Sequence, residues 1–247
     1  MGAPALGETL VRAGFDAALF DMQHGAFDTP GAVLGITAVA LAGKPALVRI
    51  PVGDFATASK LLDAGAAGIV APMINSAGDA RELVSFTKFP PLGSRSWGPN
   101  RAMTLSGLTP ASYLAEAGSI QLTIAMIETR EALDALDDIL DVDGIDGVLV
   151  GPSDLSIALS RGAFVDAVSD AVMSALVIVA DACRRRGKVA AAFCANGERA
   201  AAIGALGFQL CAAGTDELML RAGAMAELAT ATQPLRSPDQ QGGAHGH

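Results

Sequence analysis

Short apolar runs alternate with helical patterns along most of the chain. Seven runs have the length of buried strands: 17–20, 46–50, 68–74, 122–128, 147–152, 189–194 and 208–213. Apolar residues at helical spacing, often followed by glycine, predict helices over 54–65, 77–87, 130–140 and 167–187. Apolar strands separated by helices are typical of a parallel sheet covered on both faces.

A closed parallel barrel of the TIM type has eight strands, each followed by a helix. The chain instead opens with a helical pattern from Ala3 to Ala13 that ends at Gly14. We therefore predict a (β/α)8 barrel whose first strand is absent from this sequence. An eighth parallel strand within residues 1–16 would contradict that prediction. No Gly-x-Gly-x-x-Gly fingerprint follows an early strand, which disfavours a dinucleotide-binding sheet.

Composition narrows the class of protein. The 247 residues are 51% hydrophobic and carry a formal net charge of −9, which disfavours a nucleic-acid partner. No apolar run approaches the roughly 20 residues that span a bilayer, and no signal peptide is evident, so we expect a cytoplasmic enzyme with no membrane partner. We expect reduced thiols at the three cysteines. We predict a single barrel domain over 1–235 and a disordered polar tail over 236–247.

Polar residues stand where several predicted strands end. These are Asp21 and His24 after the first run, Arg49 in the second, Glu128 in the fourth, and Asp154 just after the fifth. In parallel barrels the carboxyl ends of the strands form the active site, and ionisable groups beside apolar strands are costly unless paired, metal-bound or wet. We therefore expect one shared site.

Glu128 and Asp154 are hard oxygen donors on different strands, a pair that suits Mg²⁺, Mn²⁺ or Co²⁺. Alternatively, Glu128 pairs with Arg130 or Arg49. Ser153 or Asp154 could also serve as the N-cap of a following helix, whose first amides would face an anion.

Arg49 and His24 suggest two further roles. Arg49 is placed either to stabilise an enolate oxygen or to form a structural ion pair. His24 follows a strand-end aspartate and precedes Gly25, so it is a candidate base on a loop at the barrel mouth. Asp63 is a candidate orienting partner for His24, although spacing alone does not select it.

Four segments, AGFDAALFDMQH, LLDAGAAGIVAPM, AMIETREAL and VDGIDGVLVGPSDLS, resemble the class II pyruvate aldolases of the HpcH/HpaI (4-hydroxy-2-oxoheptanedioate aldolase) type. The resemblance covers roughly residues 3–225. It implies a barrel of the phosphoenolpyruvate/pyruvate superfamily, usually a hexamer whose last helices swap between neighbours. We accordingly expect a homo-oligomer, either a hexamer or a trimer.

The resemblance also implies roles for the strand-end residues. Glu128 and Asp154 would ligate the metal, which pyruvate would chelate. The backbone amides of Ser153 and Asp154 would hold the pyruvate carboxylate, and Arg49 would bind the ketone or enolate oxygen. His24 and Asp63 would form a proton-transfer dyad, and Asp21 would support the metal–water network.

The motif departs from the family pattern at two positions. Gln23 replaces the glutamate of the usual Asp-x-Glu-His motif, which removes a negative charge near the base and bears on the choice of aldehyde. Met126 stands where glutamine is frequent, two residues before Glu128.

The reaction implied is reversible cleavage of a 4-hydroxy-2-oxo acid to pyruvate or hydroxypyruvate and an aldehyde. No lysine ends a predicted strand, which disfavours a Schiff base. Two alternatives are a CoA-ester lyase of the malyl or citramalyl type and a catalytically impaired barrel acting as a binding module. A CoA site would need a basic patch at the mouth, for which Arg184 to Arg186 is the main cluster. Residues 97–102 (WGPNRA) would line either the acceptor pocket or an interface.

Overall fold

A computed structural model describes residues 1–232. The predicted tail over 236–247, with His245 and His247, lies outside the described residues. By its contacts the chain divides into two compact units, Met1–Gly214 and Thr215–His247.

The first unit contains a nearly closed barrel of seven parallel strands, paired in chain order from the first to the seventh. The predicted α/β barrel class is therefore confirmed. The strands are β1 (Ala18–Asp21), β2 (Ala46–Arg49), β3 (Gly68–Ala71), β4 (Leu122–Ile127), β5 (Gly147–Val150), β6 (Val189–Cys194) and β7 (Leu210–Ala213). Residues 1–16 contain no strand. Within residues 1–214, β1 and β7 do not pair with each other, and both are less buried than the central strands.

Eleven helices accompany these strands in the first unit. They are α1 (Pro4–Arg12), α2 (Thr29–Leu41), α3 (Phe55–Asp63), α4 (Ala77–Thr87), α5 (Asn100–Ser106), α6 (Pro110–Ile120), α7 (Arg130–Asp134), α8 (Leu136–Leu140), α9 (Pro152–Leu159), α10 (Asp170–Arg186) and α11 (Gly197–Gly204). Several begin at a side-chain cap, as Asp54 does for α3 and Ser76 for α4. The helix predicted over 130–140 is interrupted at Ala135, between α7 and α8.

Strand side chains alternate between two cores, as the period of two requires. The inner core, inside the barrel, comprises Leu47, Val70, Ile124, Met126, Leu149 and Ala191. The larger outer core packs the opposite strand faces against the helices. Arg49 and Glu128 each lie two residues after an inward-facing residue, Leu47 and Met126 respectively. Because strand side chains alternate, both also face inward, and both enter the barrel at its carboxyl end.

A polar network closes the amino end of the barrel, where the helices return to the strands. Lys88 is 3% exposed at its side chain and donates to Asp146, 2.6 Å away, just before β5. Arg95 donates to Asp63 at 2.5 Å and to the side-chain oxygen of Gln121 at 2.7 Å. Gln121 immediately precedes β4. Charged groups at this end therefore find partners within the chain.

The second unit is described over residues 215–232. It contains α12 (Asp216–Ala231), whose N-cap is Thr215; the Thr215 side chain accepts a hydrogen bond from the N–H of Leu218. In the described part of the chain, no helix is both long and apolar enough to cross a bilayer.

The cysteines are free, as predicted. Cys183 and Cys194 are buried, and burial raises the pKa of the Cys183 thiol to about 11. A thiol with so high a pKa is a poor nucleophile at neutral pH, which fits a packing role.

Candidate active site

Glu128 is the most unusual charged residue at the barrel mouth. It follows β4, is only 3% exposed, and accepts a hydrogen bond from the N–H of Met73 at 2.8 Å. Burial raises the pKa of its carboxyl above the ordinary value. The Met73 hydrogen bond and the charges of Arg49 and His24 act in the opposite direction, whereas the charge of Asp154 adds to the rise. Among residues 1–232 neither Glu128 nor Asp154 forms an ion pair, so the alternative in which Glu128 pairs with Arg49 or Arg130 does not hold.

Asp154 lies in the first turn of α9, on the segment that follows β5. The N-cap of α9 is Gly151 and Pro152 is its first residue, so the alternative in which Ser153 or Asp154 caps this helix is wrong. Both residues are exposed. Their backbone N–H groups belong to the helix's first turn, where amides have no intrahelical partner and favour an anion.

Asp21 and Arg49 are direct partners in the register of β1 and β2. The guanidinium donates from Nε to Oδ1 at 2.8 Å and from Nη2 to Oδ2 at 2.5 Å. Burial raises the pKa of the Asp21 carboxyl, but the hydrogen bonds and charge of Arg49 outweigh burial and hold it below its ordinary value. The structural ion pair considered for Arg49 therefore exists. Its Nη1 has no hydrogen-bond partner among residues 1–232, so the pair leaves Arg49 able to donate to a ligand.

Asp21 also builds the turn that carries His24. Its Oδ1 accepts from the N–H groups of Gln23 at 2.9 Å and His24 at 3.2 Å. A Cβ at Gly25 would collide with the Asp21 carbonyl oxygen, so the tight return of the chain requires glycine there. His24 is exposed, while the side-chain oxygen of Gln23 is buried without a hydrogen-bond partner in the described chain.

These residues meet around one cavity of about 280 Å³. Its lining includes Gln23, His24, Met73, Glu128, Asp154 and Ile157, and among residues 1–232 no lysine lines it. The structure thus brings His24, Glu128 and Asp154 together as the strand-end argument predicts, with Arg49 and Asp21 beside them through the β1–β2 pair.

Asp63 is not part of this cluster. It is the last residue of α3 and pairs with Arg95, which also holds Gln121 at the start of β4. His24 follows the carboxyl end of β1. Within one chain the two residues therefore lie at opposite ends of the barrel, and the expected dyad of His24 with Asp63 does not form.

Two other segments also lie at the amino end. Arg184 to Arg186 are the last three residues of α10, which leads into β6. Arg186 pairs with Asp141 at 2.5 Å. The cluster therefore provides no basic patch at the mouth for CoA. Trp97, in the WGPNRA segment, packs edge-on against Tyr113, whose hydroxyl accepts from Gln121, so this segment does not line the cavity.

The cavity contains residues that the sequence pattern did not single out. Met73 and Ile157 form apolar parts of its wall, and Thr129 accompanies Glu128. Thr129 donates to the side chain of Asn75 at 2.5 Å and caps α7. Met73 lies near the end of the predicted strand over 68–74, Thr129 directly follows the strand over 122–128, and Ile157 directly follows the GPSDLS segment.

The donor set fits a hard divalent cation. No cluster of three or more His, Cys, Asp and Glu side chains suited to a metal occurs among residues 1–232. Two carboxylates without cationic partners, one of them buried, suit Mg²⁺ in particular, because this ion retains several waters and takes one or two protein carboxylates. The residues present are therefore compatible with a metal that completes its shell from water and substrate.

Comparison with known proteins gives consistent results. A 41% identical "Hydroxypyruvate/pyruvate aldolase" from Rhizorhabdus wittichii aligns over 91% of this chain and 88% of its own. A "4-hydroxy-2-oxo-heptane-1,7-dioate aldolase" from Klebsiella pneumoniae is 34% identical, and the alignment covers 89% of this chain and 82% of that protein.

A solved structure, the HpcH/HpaI aldolase from Desulfitobacterium hafniense DCB-2, superposes with a TM-score of 0.84 at 28% identity, covering 96% of this chain and 92% of that one. The sequence model of the HpcH/HpaI aldolase/citrate lyase family matches residues 2–222. These relatives identify the chain as a carbon–carbon lyase, and it belongs to the HpcH/HpaI aldolase/citrate lyase family.

Proposed function

We propose that this chain is a divalent-metal-dependent aldolase that reversibly cleaves 4-hydroxy-2-oxo acids to pyruvate, or hydroxypyruvate, and an aldehyde. The observation that carries the proposal is the buried Glu128 carboxylate, which shares a cavity with Asp154 and has no cationic partner among residues 1–232. A buried carboxylate in that state is costly unless a ligand compensates it.

Glu128 and Asp154 would hold the cation, with Mg²⁺, Mn²⁺ and Co²⁺ all compatible with the oxygen donors. When bound, the cation supplies Lewis-acid stabilisation of charge that develops on the 2-oxo group. Arg49, fixed through Asp21, would donate from Nη1 to the same oxygen. The amides of Ser153 and Asp154 would bind the substrate carboxylate at the start of α9.

His24 would act as the base. It takes the proton of the C4 hydroxyl, the C3–C4 bond breaks, and its electron pair passes into the enolate as the aldehyde leaves. Return of this proton from His24 to C3 of the enolate, directly or through water, then gives the 2-oxo acid and restores the base. The exposed position of His24 at the cavity and the rigid turn anchored on Asp21 support this role.

A contribution of Asp63 to proton transfer would require a second copy of the chain, since within one chain Asp63 pairs with Arg95 at the other end of the barrel. The predicted hexamer or trimer remains a prediction. The CoA-ester lyase alternative gains no support, because its candidate basic cluster is remote from the mouth.

Deuterium exchange at the methyl group of pyruvate tests the proposal, because enolisation needs no knowledge of the aldehyde. We expect NMR to show exchange in D2O with Mg²⁺ or Mn²⁺, its loss in EDTA, and its return with excess metal. Asp154→Asn should abolish exchange, whereas Asp138→Asn, an exposed aspartate on α8, should not affect it. Undiminished exchange under thorough chelation would refute the metal-dependent mechanism.

A further inference from the structure

Met73 has an unusual backbone for its residue type. It is one of two non-glycine residues with positive φ in the described chain, at 58°, the other being Arg161 at 56°. This left-handed region is disfavoured for L-residues because Cβ approaches the following carbonyl oxygen, and branching at Cβ makes it worse. Strain of this kind persists where the surrounding structure imposes it, often at functional sites.

The strained residue contacts the most buried carboxylate at the mouth. Its N–H donates to Oε1 of Glu128 at 2.8 Å, and among residues 1–232 this is the hydrogen bond that the carboxylate receives. On the other side, a Cβ at Gly151 would lie 3.2 Å from Oε2, so the glycine leaves this oxygen room. Glu128 is therefore fixed through one oxygen while the other remains available.

We propose that Met73 is a positioning residue: its left-handed backbone directs an amide at Glu128 and presets the carboxylate for the divalent cation. The inference rests on the proposed function in so far as Glu128 is a metal ligand. A hydrogen bond from a backbone N–H to a carboxylate is a strong, directional contact, and partners that orient a metal ligand tune its affinity. The thioether matters less here than the backbone conformation.

Two substitutions of similar volume separate backbone from side chain. Met73→Ile adds branching at Cβ and opposes positive φ, whereas Met73→Leu is unbranched there, as methionine is. We expect Met73→Ile to weaken Mn²⁺ binding by about 10-fold, measured by electron paramagnetic resonance without substrate. Met73→Leu and Met73→Gly should bind as the wild type does, because both keep the amide in place.

Arg161→Ile supplies the matched control. It imposes the same backbone penalty at the other left-handed position, which makes no contact with Glu128, so Mn²⁺ affinity should not change. Should Met73→Ile fail to fold, replacement of Met73 by its α-hydroxy acid analogue removes the N–H and keeps the side chain; the same loss of affinity is expected.

Equal Mn²⁺ affinity in Met73→Ile and Met73→Leu would overturn the inference. So would a loss in Met73→Gly as large as that in Met73→Ile, because it would assign the effect to the side chain. If the wild type binds Mn²⁺ and exchanges pyruvate protons while the variants do not differ, only the role of Met73 fails. If the wild type binds no Mn²⁺, the metal site itself fails.

Discussion

The buried Lys88 and Arg95 at the amino end of the barrel have ion-pair partners, whereas the buried Glu128 at the carboxyl end has none in the described chain. At the amino end, Lys88 lies against Asp146 and Arg95 against Asp63, so each charge is matched inside the chain. At the carboxyl end, the buried Glu128 and the exposed Asp154 face one cavity, and neither forms an ion pair in the described chain.

This difference distinguishes charged residues that stabilise the fold from charged residues that are available to bind a ligand. Burying a charge costs free energy at either end, and the amino end offsets the cost with internal partners. At the carboxyl end, a bound ligand would offset the cost of burying the Glu128 charge. Parallel barrels place their catalytic groups at this end. Substitutions at the two ends should therefore change different measured quantities.

The largest expected effect is on turnover at the mouth. Glu128→Gln should lower kcat for aldol cleavage by roughly 10³-fold, because loss of a metal ligand removes several kcal/mol of transition-state stabilisation. The free energy of unfolding without metal should not fall, since a neutral amide is cheaper to bury than a carboxylate whose pKa is raised by burial. Steady-state kinetics and urea unfolding in EDTA check both statements. Near-normal turnover would remove Glu128 from the mechanism.

At the amino end we expect a substitution to lower stability rather than turnover. Lys88→Met should lower the free energy of unfolding by about 3 kcal/mol, because Asp146 and the Gln121 carbonyl lose a buried partner. The folded fraction should retain its turnover. Lys60→Met, at an exposed lysine on α3, should change stability by less than about 0.5 kcal/mol. Equal stability losses in the two variants would contradict the role given to Lys88.

A smaller effect is expected at the pair that supports the mouth. Asp21→Asn should cost about 1–2 kcal/mol of stability at neutral pH, because Arg49 loses a charged, part-buried partner. The folded pKa of Asp21 is lowered, so its contribution is present above the ordinary value of 3.8 and is lost as the pH falls through the lower folded pKa. The difference in the free energy of unfolding between Asp21→Asn and the wild type should therefore become smaller at acidic pH.

Urea unfolding at several pH values measures this narrowing. Glu8→Gln removes an exposed ion pair with Arg12 and should have little effect at any pH. A difference for Asp21→Asn that stays constant or widens below pH 3.8 would show that the Arg49 charge is not its cause.

The strand-end reasoning predicted the mouth well for a physical reason. The ends of the apolar runs are visible in the sequence, and Arg49 and Glu128 stand at the ends of the runs that form β2 and β4. Asp154 follows β5 at the same level. The ion pair of Arg49 with Asp21 depends on the register of β1 and β2. The sequence does not specify that register, so the pair was not predicted.

Asp63 and Met73 show where the sequence stops being informative. Family likeness placed Asp63 beside His24, but its position at the end of α3 puts it at the opposite end of the barrel within one chain. Met73 matters through the sign of a backbone angle, which no side-chain pattern records. The place of Asp63 depends on how α3 runs back along the barrel, whereas that of Met73 depends on one local backbone angle.

Mn²⁺ binding tests the central claim most directly. The wild type should bind one ion per chain, and Glu128→Gln and Asp154→Asn should each abolish that binding, while Asp138→Asn leaves it unchanged. Wild-type affinity in either single variant of the pair would show that the two carboxylates do not hold a common cation.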